Sequence, residues 1–318
     1  MNPVPNINKI SAFAWKKEKA GNPREPMLKR LFATRKRPYV PGINRPETIR
    51  VDLSGSILTL QMPPHSYYGG FPGEDPPPQV NIYEQGRYVD DSGLPDWQRE
   101  RESSFHFLRR KWAFYGPPWR PRPYGTISFS ITVWRCDILP EDMSCFNPNH
   151  FEQMALRSLW YAGPGRPSIG EYKAPIHWRL QQESGATWLY FESHRDYSHD
   201  AWQPPEFMRT YRDCYLRIPL DNRYYLNLVF SYLGYAPVKY CLANMNKLRD
   251  AVLDSVQMEF SATAKERLAE AKHKWPDAHA SEHRDPEPWI YPEWRYGGIG
   301  EENIVVVNPG SPPPVLTS

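Results

Sequence analysis

Most of the features by which a sequence announces its function are missing here. No run of residues approaches the ~20 consecutive apolar positions that a membrane-spanning helix needs, and the N-terminus lacks the apolar core of a secretory signal. The chain is therefore expected to be soluble and cytoplasmic. Cysteine is scarce: Cys136, Cys145, Cys214 and Cys241 make neither a C-x-x-C ligand pair nor a dense disulfide framework. Free, partly buried thiols in a reducing compartment are the expectation, and a Cys136–Cys145 bridge is the alternative for an extracellular chain.

Catalytic signatures are missing as well. There is no G-x-S-x-G, no G-x-x-x-x-G-K-[ST], no H-E-x-x-H and no G-x-G-x-x-G after a strand. Gly163-Pro164-Gly165 and Gly297-Gly298-Ile299-Gly300 are glycine-rich, but the first encloses a proline and neither opens a convincing helix, which argues against a phosphate cradle. Cys136 and Cys145 have no neighbouring His/Asn constellation to activate a thiol. A carboxylate pair, which leaves no local signature, stays open. The expectation is a protein that is not an enzyme and uses no cofactor and no metal.

What the sequence has in abundance is proline and large aromatics: 35 Pro, 12 Trp and 20 Tyr in 318 residues, with 40% apolar residues and 24% charged. Proline interrupts helices and central strands, while Trp and Tyr bury area yet keep a polar handle. Together they predict a loop-rich α+β protein with much surface ready to bind something. The charge is asymmetric. Residues 1–45 carry eleven Lys and Arg against Glu18 and Glu25, a local +9 that leaves −6 for the rest of a chain of net +3. Such an arm can bind nucleic acid or anionic lipid. Punctuated by prolines, it reads instead as a solvated leader packing Phe13, Trp15, Leu28, Leu31 and Phe32 onto the body, and nucleic acid is not the expected partner.

Alternation places hairpins along the body. Thr48–Leu53 and Ile57–Pro63 flank a Ser-Gly turn, 176–180 and 187–192 flank Glu183-Ser184-Gly185, and 212–220 and 223–233 flank Asp221-Asn222. Gly125–Cys136 is a further strand. Six prolines between Pro63 and Val80 forbid regular structure there, in a loop pinned by Tyr67, Tyr68 and Phe71, and Trp112–Pro123 reads as Pro- and Arg-rich loop. Helices are predicted over 150–161, after a cap at Asn244 or Asn246, and over 262–274, with a brief strand over 255–260. Hairpins outnumber crossover-length connections, so the expected fold is α+β with antiparallel sheet from about residue 48 to 260. The organisation is a basic arm over 1–45, a body over 46–275 that either shares one sheet or splits near 165, and a Pro/Trp-rich tail over 276–318.

The densest polar cluster is His194-Arg195-Asp196-Tyr197-Ser198-His199-Asp200. Imidazoles beside carboxylates suit divalent ions, but the cluster follows a predicted strand and precedes Pro204-Pro205, so a hydrophilic loop is the simpler account. His279 and His283 with Asp277, Glu282 and Asp285 form a second such cluster in a tail that reads as solvated. Interfaces favour Trp, Tyr and Arg as anchors. The candidate partner contacts are Glu192, Asp196, Asp200 and Glu206 around Tyr197 and Trp202, with Trp289, Trp294 and Tyr296 in the tail. Carboxylates beside aromatics suit a basic partner that is steered in and then held. The same residues would serve equally to staple proline-rich loops to the sheet.

The run Tyr224–Tyr235 followed by Met245–Met258, together with the opening Ile49–Leu53 and Ile57–Pro63, resembles the first hairpin and closing strand–helix–strand of small PsbP-like α+β domains, in particular immunity proteins of bacterial interbacterial-toxin systems of the type VI secretion kind. In these a final helix leads into a short Leu-x-Ser-hydrophobic strand, here Leu253–Val256. The resemblance implies a non-enzymatic protein that neutralises a secreted toxin by direct occlusion, its partner being that cognate toxin. The alternatives are a metal-dependent hydrolase using His194–Asp200 and a phage or secretion-apparatus structural component.

Overall fold

A computed structural model describes residues 28–67, 73–88, 103–162, 171–197, 203–286, 294–296, 304–306 and 315–318. The protein is α+β and mostly sheet. The strands are β1 (Glu47–Leu53), β2 (Ser56–Met62), β3 (Gln79–Val80), β4 (Ser103–Phe114), β5 (Gly125–Arg135), β6 (Glu171–Glu183), β7 (Ala186–Asp196), β8 (Arg212–Asp221), β9 (Tyr224–Leu233), β10 (Gln257–Glu259), β11 (Trp294–Tyr296) and β12 (Ile304–Val306). The helices are α1 (Pro148–Ala162), α2 (Val238–Leu253) and α3 (Ala262–Lys274).

The main sheet has the order β4-β5-β9-β8-β7-β6 with every neighbour antiparallel. The two parts of the chain on either side of residue 165 thus build one sheet, joined where β5 pairs with β9. A second sheet, β10-β2-β1-β3, is antiparallel except for the short parallel β1–β3 pair.

The alternation in β5 explains its place. Ile127, Phe129, Ile131 and Val133 are at most 1% exposed and enter the larger core, whereas Ser128, Ser130 and Thr132 between them are only half-buried. β9 supplies the facing row, with Phe129 opposite Phe230 and Ile131 opposite Leu228. The Phe129 and Phe230 rings are 4.5 Å apart, and Trp112 of β4 stacks on both, its indole N–H donating to the Pro63 carbonyl at 3.0 Å. Such cross-strand aromatic pairs stabilise a sheet beyond their burial. The hairpin β1–β2, α2 and α3 complete this core. A smaller core forms on the other face, where Phe151, Met154, Ala155 and Leu159 of α1 meet Leu189, Phe191 and Tyr225.

Several expectations are corrected. Trp112–Phe114 and the residues before them are strand β4, whose alternation is hidden by Arg109-Arg110-Lys111 and by a register shift between His106 and Leu108. β7 extends through His194, Arg195 and Asp196, because His194 pairs with Arg212 and Asp196 with Glu171 across the sheet. α2 starts at Val238, with Pro237 at the cap position; Asn244 lies inside the helix and donates to the Tyr240 and Lys36 carbonyls. Leu253 closes α2, so the short strand follows it at Gln257–Glu259. Of the expected loop pins, Tyr67 lies under the Lys111 ammonium, and Tyr68 and Phe71 fall outside the described residues. The Cys136 and Cys145 sulfurs are 3.7 Å apart, and all four cysteines are free and buried.

The tail is attached to the body. Glu152 of α1, 2% exposed, accepts the Ser281 amide at 2.6 Å and the Arg284 guanidinium, and Trp178 donates to the Ser281 carbonyl at 2.6 Å. Removing a buried acceptor shared by two donors costs about 1–3 kcal/mol. Glu152→Ala is accordingly expected to lower stability by about that amount in denaturant titration and to speed proteolytic removal of the chain beyond Trp275.

Candidate functional site

β7 presents alternate residues to opposite faces, so Trp188, Tyr190, Glu192 and His194 lie on the side of α2 while Leu189 and Phe191 face α1. Glu192 is the centre of a buried polar cluster. Its Oε1 accepts from the Tyr190 hydroxyl at 2.6 Å and from Arg249 Nη1 of α2 at 2.8 Å; its Oε2 lies 2.6 Å from His194 Nε2 and 3.5 Å from Arg212 Nη1 of β8. His177 Nδ1 comes within 3.2 Å of Oε1 from the edge strand β6. His177 has φ +55, in the left-handed region where non-glycine residues are uncommon, and the β6–β7 register shifts on both sides of Ile176. That irregularity turns its ring toward β7, 5.5 Å from the His194 ring.

Electrostatics follow from the burial. Desolvation alone would raise the Glu192 carboxyl, but hydrogen bonds from His194 and Tyr190 and the charge of Arg249 outweigh it and hold the carboxyl well below the usual range. Burial lowers His194 despite the opposing bond to Glu192, so its imidazole favours the neutral form. Burial, reinforced by the Glu192 charge, pushes the Cys214 thiol up to about 12, which keeps it protonated and poorly nucleophilic.

His177, Glu192 and His194 offer ligand atoms that all lie within 4.8 Å of one another, the one such group among the described residues. Two imidazoles and a carboxylate are a donor set that divalent first-row metals use. Here, however, the carboxylate is already held by two guanidinium groups, and a dication on it would sit among like charges. The arrangement therefore fits an internal ion-pair network, which fastens α2 to three strands of the sheet, better than an open metal centre.

The expected partner contacts scatter. Glu192 is 2% exposed and Tyr197 8%, so neither offers a surface contact: the first is spent on Arg249 and the second is packed inward. Asp196 is paired with Lys173, and the exposed Glu206 accepts the Val238 amide at 3.0 Å at the start of α2. Asp200, Trp202, Trp289 and His199 lie outside the described residues, while Trp294 and Tyr296 belong to β11, which pairs with β12. His279 and His283 join no group of ligating geometry among the described residues. The residues that sequence reasoning passed over are His177, Tyr190, Arg212 and Arg249. Arg249 carried a signal, since it stands in the buried stripe Cys241, Met245, Leu248 and Val252 of α2, where a charge needs a partner.

A separate cleft of about 610 Å³ opens between Gln182 and Thr187 of the β6–β7 hairpin, Asn147 before α1, and Lys272 and Trp275 at the end of α3. None of the Glu192 cluster lines it. Comparison of the chain with protein-family models and with curated protein sequences finds no match.

Two predictions follow from the cluster. Both Glu192 and His194 bind protons less readily folded than unfolded, so their stabilisation is complete above the unfolded pKa values and is lost as pH falls. Thermal unfolding should be flat near neutrality, begin to weaken below about pH 6.5 as His194 resists protonation, and weaken again below about pH 4.3. His194→Gln should reduce the first stage, leaving the share of His150, which burial also lowers. Glu192→Gln should remove the second stage and cost about 1–3 kcal/mol at neutral pH, because it leaves the buried Arg249 with only the half-exposed Asp250 carboxylate as its anion. Added zinc or manganese, or a chelator, is expected to leave the melting temperature unchanged, and stoichiometric metal in the purified protein would show the network to be a ligand set instead.

Proposed function

We propose that this chain is a non-enzymatic protein-binding protein, an immunity protein that neutralises a secreted bacterial toxin of a type VI secretion-like system by occluding it. The observation that supports this reading is the pairing of β10 with β2, Gln257 opposite Thr59. The opening hairpin and the run ending at Met258, which carry the resemblance, stand at opposite ends of the body, yet Gln257 and Met258 pair with β2, while Leu253–Val256 itself forms the end of α2 and the turn after it. The spent state of the Glu192 carboxylate adds support, since it leaves the His177–Glu192–His194 group without a free anionic ligand. The group is also what favours the second reading, a metal-dependent hydrolase, which would require Arg249 and Arg212 to withdraw.

The test is to look for a toxin gene adjacent to the gene for this chain and to co-express the two products. Rescue of growth and co-elution of the two proteins are expected, and absence of both would remove the reading. If Asp196 and Glu206 help to steer a basic toxin, the Asp196→Lys, Glu206→Lys double variant should slow association about tenfold at low ionic strength and much less at high salt. A melting temperature measured on the same variant separates this from loss of the Lys173 pair and the α2 cap.

A further inference from the structure

We propose that the end of the molecule built from residues 28–37 and the β4–β5 loop, 115–124, is a docking surface for an anionic membrane. The proposal begins from the way the first described segment is attached. Leu28, Leu31 and Phe32 were expected to pack on the body, but they are 66%, 46% and 88% exposed. Arg30 does the docking instead: its Nε donates to the Gly116 carbonyl at 2.9 Å, its Nη2 to the Pro117 carbonyl at 3.1 Å, and its guanidinium lies 4.7 Å from the Tyr115 ring centre. With the arginine turned inward, the apolar residues of the same turn face outward, next to the loop whose Trp119 is 72% exposed.

Within these two segments the charge has one sign. Lys29, Arg35, Lys36, Arg37, Arg120 and Arg122 belong to the two segments, and residues 28–46 and 115–124 contain no aspartate or glutamate. The segments share one surface, because the Arg35 and Arg120 guanidinium groups lie 5.8 and 5.9 Å from the centre of the same Tyr124 ring. The Tyr235 hydroxyl and the Asn244 amide hold the Arg35 and Lys36 carbonyls at 3.1 and 3.2 Å, so the basic run is fixed against α2. Glu206 reaches this end through its bond from the Val238 amide.

Exposed large apolar side chains ringed by cations match the boundary between anionic headgroups and acyl chains, where leucine, phenylalanine and tryptophan enter and lysine and arginine stay at the phosphates. A nucleic acid fits less well, since bases stack on aromatic faces and Leu28 and Leu31 have none. No helix among the described residues is long and apolar enough to cross a bilayer, so the contact proposed is with the surface of the membrane.

The test is sedimentation of the full chain with vesicles of phosphatidylcholine alone and with about 30% phosphatidylglycerol. Binding is expected only to the anionic vesicles, and it should weaken steeply between about 0.1 and 0.5 M salt. Arg35→Glu, Lys36→Glu, Arg37→Glu together should lower vesicle affinity on the order of a hundredfold, and Phe32→Ser with Trp119→Ser about tenfold. These side chains are exposed, so both variants should melt with the wild type, and each tests a different half of the surface if the other fails to fold. Equal binding to neutral vesicles, no binding at all, affinity unchanged in both variants, or tighter binding to a single-stranded RNA oligonucleotide than to the anionic vesicles would each overturn the proposal.

Discussion

The architecture depends on the seam where β5 meets β9. Residues 126–135 and 224–233 pair without a register shift, although almost a hundred positions of chain separate them. Closing so long a loop costs entropy before any contact rewards it, and the reward here is concentrated: Phe129 on Phe230, Ile131 on Leu228, and Trp112 stacked over both rings from the neighbouring strand. Everything on either side is a hairpin added to that seam, β4 outward from β5 and β8, β7 and β6 outward from β9. The seam also decides where the polar cluster can be, because it fixes which face of β7 turns toward α2.

The Glu192 network is the second constraint, and it works by a different principle. A buried carboxylate is costly unless its lone pairs and its charge are both satisfied. Glu192 satisfies them with one residue from its own strand face on each side, Tyr190 and His194, and with arginines from β8 and α2. The resulting bond set holds only when α2 lies at one position along the sheet, since Arg249 must reach Oε1 while the apolar stripe of α2 stays in the core. Hydrophobic contacts alone tolerate sliding; a directed charge pair within them does not.

How much of this was legible in the sequence depends on the range of the interaction that decides each element. The three hairpins and α3, with Ser261 accepting the Ala264 amide at its cap, are set by neighbours in the chain, and alternation and capping chemistry reveal them. β4 was hidden because its charged centre is satisfied from outside the strand: the 5%-exposed side chain of Arg110 pairs with Asp75 and Glu47, contacts that no local pattern carries. The candidate site was half legible. Glu192, Asp196 and His194 stand in one polar stretch, and a loop was the natural reading of it until Arg212 and Arg249, distant in sequence, made the stretch a strand end and its carboxylate a core group. His177 gave no warning at all, since its orientation comes from a backbone irregularity in an edge strand.

The same logic accounts for the exposed turn at residues 28–33. A segment of alternating basic and apolar residues has two ways to lie on a body: bury the leucines and phenylalanine and leave the cations in water, or bury one cation and leave the apolar groups out. The first normally prevails, because apolar burial contributes about 25 cal/mol per Å². Here the body offers Arg30 the Gly116 and Pro117 carbonyls of the proline-rich β4–β5 loop, the second shared with the Arg120 amide at 2.9 Å, beside the face of Tyr115. Proline removes the N–H donors that would otherwise satisfy nearby acceptors, and a guanidinium with five donors replaces them. The high proline content and the basic arm, which look unrelated in composition, are thus coupled, and the orientation of Leu28, Leu31 and Phe32 is the consequence.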